Sequence, residues 1–111
     1  MIGGFILGGN GGNSRVALRG IGPSLAQSGV NNVLADPTLD LYNANGTKLI
    51  SNDDWNDNPA QAVQLTANGL APTNNKESGI FTNLPPGAFT AILSGKDGGT
   101  GVGLVEVYNL Q

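Results

Sequence analysis

Acidic and amide side chains are densest in the run NDDWND at positions 52–57. Calcium takes six to eight oxygen ligands from carboxylates, amides and carbonyls, so these residue types suit a calcium site. The spacing is not that of an EF-hand, which needs a glycine at the sixth loop position and a glutamate at the twelfth. Asp36 and Asp40 are also expected near this loop. The candidate calcium ligands are Asn52, Asp53, Asp54, Asp57 and Glu77.

The same loop has a simpler interpretation that needs no ion. Asx side chains commonly hydrogen-bond to the local backbone, and here they would cap a helix that begins at Pro59. Trp55 is the only tryptophan. It either stacks on a sugar or lies over the core as a lid. Both alternatives stay open for the loop and for the tryptophan.

Enzymatic activity is not expected from this sequence. The chain has no cysteine and no histidine, which removes thiol and imidazole nucleophile–base pairs and the usual zinc ligand sets. A glycosidase needs two carboxyl groups that flank the scissile bond in a cleft. Asp53 and Asp54 are neighbours in the chain and are expected to point apart. We therefore predict a non-enzymatic protein.

The composition favours a single all-β domain over residues 1–111. Charged residues make up only 12% of the chain, and glycine occupies 18 positions, which suits turns and weakens helix interiors. The net charge is −3 and the five basic residues are scattered, so no nucleic-acid partner is expected. No apolar run reaches the roughly 20 residues that a membrane span needs. The low charge favours an extracellular or cell-surface location.

Period-2 patterns and turn residues predict about seven or eight short strands. The clearest is a hairpin in which Leu39 and Leu41 alternate with polar positions and Asn45-Gly46 makes the turn. Asn45-Gly46-Thr47 is also a glycosylation acceptor sequence in an exposed turn, although Asn-Gly is equally what the turn itself requires.

Helical structure is expected in two places, and residues 96–101 are expected to form a turn. One helical turn should begin at Pro23 and stop at Gly29, and a short helix should cover residues 59–69. In that helix the inward-facing residues are expected to be Ala62, Val63 and Leu65. The predicted architecture is a jelly-roll-like antiparallel β-sandwich with one or two short helical turns.

Both ends of the chain are predicted to be strands, at residues 2–7 and 102–108, with no capping tail. The first is expected to form a hairpin with residues 15–19 across a glycine-rich turn at 8–13. A terminal strand at a sheet edge leaves backbone donors and acceptors unpaired, which is a template for another chain. Main-chain pairing would be reinforced by burial of Phe5, Ile6, Val105 and Val107.

The motifs at 39–42, 45–46, 52–54 and 84–91 resemble the bacterial pre-peptidase C-terminal domains. Those are secreted jelly-roll sandwiches, some of which bind calcium and polysaccharide or collagen. The chain is more similar still to uncharacterised modules of secreted or surface proteins of environmental bacteria. That likeness runs through Gly3–Ile6, Arg19–Leu25, Ala35–Leu39, Asn52–Trp55, Glu77-Ser78 and Leu104–Tyr108.

Modules of that group usually carry a further strand ahead of the Gly-Gly-Phe segment, and this chain starts at Met1 without it. A neighbouring subunit could supply such a strand by strand addition. The expected function is therefore a bacterial extracellular structural protein, a filament or polymer subunit assembled through its terminal strands. The alternative is a calcium-dependent accessory module that binds carbohydrate or matrix.

Overall fold

The computed structural model describes residues 1–8 and 12–110 as two antiparallel sheets with one α-helix. Two 3-10 helices occupy Pro23–Ser28 and Lys96–Gly98. The α-helix, α1, is Pro59–Ala67. The strands are β1 (Ile2–Leu7), β2 (Ser14–Ile21), β3 (Pro37–Asn43), β4 (Lys48–Asn52), β5 (Ser78–Leu84), β6 (Gly87–Gly95) and β7 (Leu104–Asn109). The prediction of an all-β sandwich is confirmed.

The four-stranded sheet has the order β1-β6-β3-β4, and the three-stranded sheet has the order β5-β2-β7. Period-2 alternation places one apolar face of each sheet in the space between them. The buried residues of that space are Leu7, Val16, Leu18, Leu34, Leu39, Leu41, Ile80, Leu84, Phe89, Ala91 and Leu93. The hydrophobic effect of closing these two faces on each other therefore holds the sheets together.

The edge strands of one sheet lie above the edge strands of the other, so the sandwich has two distinct sides. A Cβ atom placed on Gly3 of β1 would lie 3.6 Å from Cγ1 of Val105 on β7. Strand β5 contacts β3 and β4 instead. We refer to these as the β1/β7 side and the β4/β5 side.

The hairpin between β3 and β4 is confirmed. Gly46 has a φ of +80°, a conformation that glycine adopts without steric cost. The side-chain oxygen Oδ1 of Asn43 accepts hydrogen bonds from the backbone N–H groups of Asn45 and Thr47, each at 3.0 Å. The turn is thus held by an Asx side chain as well as by its backbone.

The two helical segments are also confirmed. The first 3-10 helix ends at Gly29, which has a φ of +86°. Helix α1 begins after Asn58, whose Oδ1 accepts from the backbone N–H of Gln61 at 3.3 Å. Leu65 is fully buried, but Val63 is 66% exposed, so its expected inward orientation is wrong. The helix packs against β5, and Leu65 is its buried residue, so it turns only a narrow apolar stripe towards the protein.

The expected hairpin between the first two strands is wrong. Strand β1 pairs with β6, whereas β2 lies in the other sheet between β5 and β7. Phe5 stacks on Phe89 of β6 with ring centroids 5.6 Å apart, a non-local contact that local turn residues do not reveal. Residues 9–11 of the predicted glycine-rich turn lie outside the described residues.

The exposed edge of β5 is protected by two side chains. Oδ1 of Asn52 accepts from the backbone N–H of Gly79 at 2.9 Å. Oε1 of Gln61 accepts from the backbone N–H of Phe81 at 2.7 Å. These two donors are two residues apart and so point to the same side of the strand. The polar side chains therefore occupy the positions that a further strand would need.

Replacing Gln61 by alanine should destabilise the fold, because the N–H of Phe81 would lose its partner. We expect a loss of about 1 kcal/mol in the free energy of unfolding by urea denaturation. Gln64→Ala is the matched control, since it changes the same residue type on the same helix at an exposed position. Equal unfolding free energies for the two variants would contradict the capping role of Gln61.

Candidate functional site

Three aspartates converge at one end of the four-stranded sheet. Asp36 directly precedes β3, and Asp53 and Asp54 directly follow β4. One carboxylate oxygen of each lies within 4.8 Å of the others. Because β3 and β4 are antiparallel, the start of one and the end of the other meet at the same end of the sheet. We call these three residues the acidic cluster.

Backbone contacts hold the acidic cluster in place. The buried Ser78 hydroxyl lies 2.7 Å from the carbonyl oxygen of Pro37 and 2.8 Å from that of Asp53. The backbone N–H of Lys96 donates to the carbonyl of Asp36 at 2.8 Å. Ser78 at the start of β5 and Lys96 directly after β6 thus anchor both halves of the cluster, so the aspartates are positioned by the sandwich rather than by a free loop.

The charges of the acidic cluster are only partly balanced. Lys96 places Nζ 2.8 Å from Oδ2 of Asp53. The Oδ1 atoms of all three aspartates are shielded from solvent, and no hydrogen-bond partner lies within the described residues. An unpaired carboxylate oxygen in such a position is costly. The cluster therefore has the chemistry of a cation site, with oxygens of the type that calcium prefers.

The pKa values reflect the same imbalance. Desolvation, followed by the hydrogen bond and charge of Asp53, raises the pKa of Asp36 above its ordinary value of 3.8. Desolvation and the negative charges of Asp53, Asp57 and Asp36 raise the pKa of Asp54. The hydrogen bond and charge of Asp53 raise the pKa of Lys96. The pKa values of Asp36 and Asp54 are thus raised first by desolvation and then by the neighbouring negative charges, and both effects disfavour ionisation.

Of the five candidate ligands, only Asp53 and Asp54 belong to the acidic cluster. Asn52 is buried and its Oδ1 accepts from Gly79 instead. Asp57 is exposed, and its Oδ2 lies 3.4 Å from the backbone N–H of Asp54. Asp57 therefore matches the alternative interpretation, in which Asx side chains bond the local backbone.

Glu77 is fully buried and is directed to another part of the chain. Its Oε2 accepts from the backbone N–H groups of Gly22 and Ser24, each at 2.9 Å, and from the Ser24 hydroxyl at 2.6 Å. Its backbone carbonyl accepts from the N–H of Trp55 at 2.8 Å. Glu77 thus ties the segment after β2 to the acidic loop.

Trp55 and Asn45 occupy different surroundings. Trp55 is half-buried beside Gly79 and lines a shallow cavity of about 390 Å³ along helix α1. Its indole N–H is buried without a partner among the described residues. Asn45 is exposed in the β3–β4 turn. Sugar stacking and glycosylation at these positions stay predictions.

Residues that sequence reasoning placed at a subunit interface all lie on the β1/β7 side. Phe5 and Val105 pack against the core. Ile6 is 80% exposed and Val107 is 37% exposed. The exposed apolar side chains of β1 and β7 are therefore those of Ile2, Ile6, Leu104 and Val107, of which Ile2 and Ile6 are the most exposed.

Two contributors to the acidic cluster were not in the candidate ligand set. Asp36 was expected only in the neighbourhood of the loop, and Lys96 was assigned to a plain turn. What the two residues share is their position: each directly flanks a strand, β3 or β6, at the end of the sheet where β4 terminates.

No protein-family model matches the chain, and no significant match is found among curated proteins or solved structures. In the part of the chain that the structure describes, no helix is long and apolar enough to cross a membrane.

Stability should depend on the protonation of Asp54. A carboxyl group whose pKa is raised in the folded state stabilises the fold fully at a pH below its pKa in the unfolded chain, here 3.8. This contribution is lost as the pH rises through the pKa of the folded state. Asp54→Asn should therefore be more stable than the wild type at pH 7 by less than about 1 kcal/mol, with a smaller difference at pH 3. Thermal unfolding at several pH values measures this difference.

Asp97→Asn serves as the control, since Asp97 is exposed and lies outside the acidic cluster. At pH 7 the gain in stability from Asp54→Asn should exceed any gain from Asp97→Asn. If Asp54→Asn proved less stable than the wild type at pH 7, a net cost of the ionised Asp54 carboxylate from desolvation and like charges would be excluded.

Proposed function

We propose that this chain is a non-enzymatic structural module that self-associates through its terminal strands. The observation that carries the proposal is the position of β1 and β7, since each is the edge strand of its sheet and both lie on one side of the sandwich. The expected setting, from the resemblance and the low charge, is a bacterial cell surface or the extracellular space.

The alternation of main-chain hydrogen bonds along β1 leaves donors and acceptors free for pairing at its outer edge. Met1 and Leu93 exchange two backbone hydrogen bonds, at 3.0 and 2.8 Å. Because hydrogen-bonded and non-hydrogen-bonded pairs alternate in an antiparallel ladder, Ile2, Gly4 and Ile6 turn their N–H and C=O groups away from β6. These groups form a continuous row of donors and acceptors at the edge.

The same reasoning applies to β7. The backbone N–H of Leu110 donates to the carbonyl oxygen of Arg15 at 2.7 Å. The register with β2 pairs Val107 with Leu18 and Val105 with Gly20. The alternation therefore turns the main-chain groups of Val105 and Val107 away from β2. Edge strands of monomeric proteins usually carry protective charges or prolines. Strand β1 has neither, and Glu106, the one charged residue of β7, pairs with Arg19.

A lysine at Ile6 should weaken self-association. Ile6 is 80% exposed, so Ile6→Lys should leave the monomer folded while it places charge on the pairing edge. We expect the dissociation constant to rise at least about tenfold, measured by sedimentation velocity over a range of concentrations. Val63→Lys, at a 66% exposed position on α1, should behave as the wild type. A wild-type chain that stays monomeric at millimolar concentration would overturn the proposal.

A second candidate function is a calcium-dependent accessory module for carbohydrate or matrix binding. The specific observation that favours it is the acidic cluster, in which three shielded carboxylate oxygens lack partners among the described residues. A bound cation would relieve the like-charge repulsion that, after desolvation, contributes to the raised pKa values of Asp36 and Asp54. Further oxygen ligands would come from the backbone and from water.

Calcium should raise the melting temperature of the wild type in a concentration-dependent way. Asp36→Asn should lose most of this increase because it removes a carboxylate of the cluster. Asp57→Asn should keep most of it, since Asp57 lies outside the cluster. The single tryptophan, Trp55, supplies a fluorescence signal for the same titration. An equal loss in both variants, or no calcium effect on the wild type, would contradict this candidate.

A further inference from the structure

The four sheet edges of the sandwich are not equivalent. Strands β4 and β5 form the edges of one side, and β1 and β7 form the edges of the other. A chain that assembles by edge pairing can use one side or both. Which sides are open decides whether the assembly closes on itself or grows without limit.

On the β4/β5 side, side chains already bind the backbone N–H groups that an added strand would need, and we call this side sealed. On β5, the N–H groups of Gly79 and Phe81 are already paired with Asn52 and Gln61. Asn52 is itself the last residue of β4, so its side chain crosses from one sheet to the other and bridges the two edges.

Strand β4 is also poorly suited to pairing on its own. It has five residues, its register with β3 shifts between Leu41 and Tyr42, and it begins with the exposed Lys48. A short strand, a bulge and a lysine are the devices with which proteins blunt sheet edges. The β4/β5 side is thus unsuited to strand addition.

The β1/β7 side has the opposite character. Its main-chain groups at Gly4, Ile6 and Val107 have no partner in the hydrogen-bond pattern of the described residues. Val107 faces the space between the sheets, because its partner in the register is the fully buried Leu18, yet it remains 37% exposed. The apolar interior therefore opens towards this side.

We propose that the β1/β7 side joins two copies of this chain in a closed two-fold dimer. The inference rests on the proposed self-association and specifies its geometry. A two-fold axis perpendicular to the sheets makes each edge strand antiparallel to its own copy. Both sheets then continue across the same axis, β1 against β1 and β7 against β7.

This arrangement differs from the filament that the sequence alone suggested. A head-to-tail filament needs two different complementary surfaces on each copy, and the second surface would have to be the sealed β4/β5 side. The dimer uses only the open side and leaves the sealed side facing solvent.

The dimensions of the molecule are compatible with a dimer interface. Its principal extents are 42, 29 and 23 Å. Even the face bounded by the two smaller extents covers about 670 Å² in projection, near the lower end of the roughly 600–1,000 Å² per partner that stable interfaces bury. The exposed apolar side chains of Ile2, Ile6 and Val107 lie on β1 and β7, where they would supply part of the buried area.

The distance between two spin labels, one on each copy of the chain, tests the geometry directly. A single introduced cysteine carries the label, since the chain has no native cysteine. Gly4→Cys places a label at the centre of β1 on an exposed position that has room for a side chain. Leu49→Cys places one on β4 at a 41% exposed position. In the dimer, β4 is separated from its copy by seven strand spacings, about 34 Å. The Gly4 labels should be much closer.

The outcomes separate this inference from the function on which it rests. A defined dimer in sedimentation, with a short Gly4–Gly4 distance and a long Leu49–Leu49 distance, supports both. Open-ended polymers, with a short distance between Gly4 and Leu49 labels in mixed samples, overturn the dimer and leave self-association standing. A monomer at every concentration overturns both. A dimer with a short Leu49–Leu49 distance overturns the use of the β1/β7 side.

Discussion

The alternation of main-chain hydrogen bonds across antiparallel strands is the constraint on which this structure depends. Every second residue of an edge strand must turn its N–H and C=O groups outward. On β5 the outward N–H groups of Gly79 and Phe81 donate to Asn52 and Gln61, and on β1 the outward N–H groups have no described side-chain acceptor. The difference between the two sides of the sandwich follows from these two amide side chains and from the short, irregular strand β4.

The same side chains connect the fold to the acidic cluster. Asn52 ends β4 and seals the sheet edge, and the next two residues, Asp53 and Asp54, enter the cluster. Ser78 begins β5 and contacts the carbonyl oxygens of Pro37 and Asp53. A change that loosened the β4/β5 side would therefore displace the aspartates as well. The sealed side and the candidate cation site form one unit, separate from the β1/β7 side.

Local patterns in the sequence predicted the elements whose causes are local. The β3–β4 hairpin depends on Asn45-Gly46, and the ends of both helical segments depend on Gly29 and on Asn68-Gly69, whose glycine has a φ of +71°. The pairing of β1 with β6 was not predictable in this way, because it depends on contacts such as Phe5 with Phe89 between residues distant in the chain. For the same reason Val63 was assigned inward: helical spacing alone does not show which surface a helix covers.

The candidate site was partly predictable. The acidic loop identified Asp53 and Asp54 by residue type. Glu77, Asn52 and Asp57 were grouped with them because residue type alone does not show where a side chain points. Glu77 instead binds backbone N–H groups at Gly22 and Ser24, an arrangement set by the tertiary fold. The terminal strands were predictable as edges, whereas their position on one side of the sandwich required the sheet order.

Concentration-dependent amide hydrogen exchange tests the central claim most directly, that the β1/β7 side is the open pairing surface. At low concentration the amides of Gly4, Ile6 and Val107 should exchange quickly, and those of Gly79 and Phe81 should be protected by their side-chain partners. Raising the concentration should protect the first three and leave the other two unchanged. Protection that appears on Gly79 and Phe81 instead, or on neither set, would contradict the account.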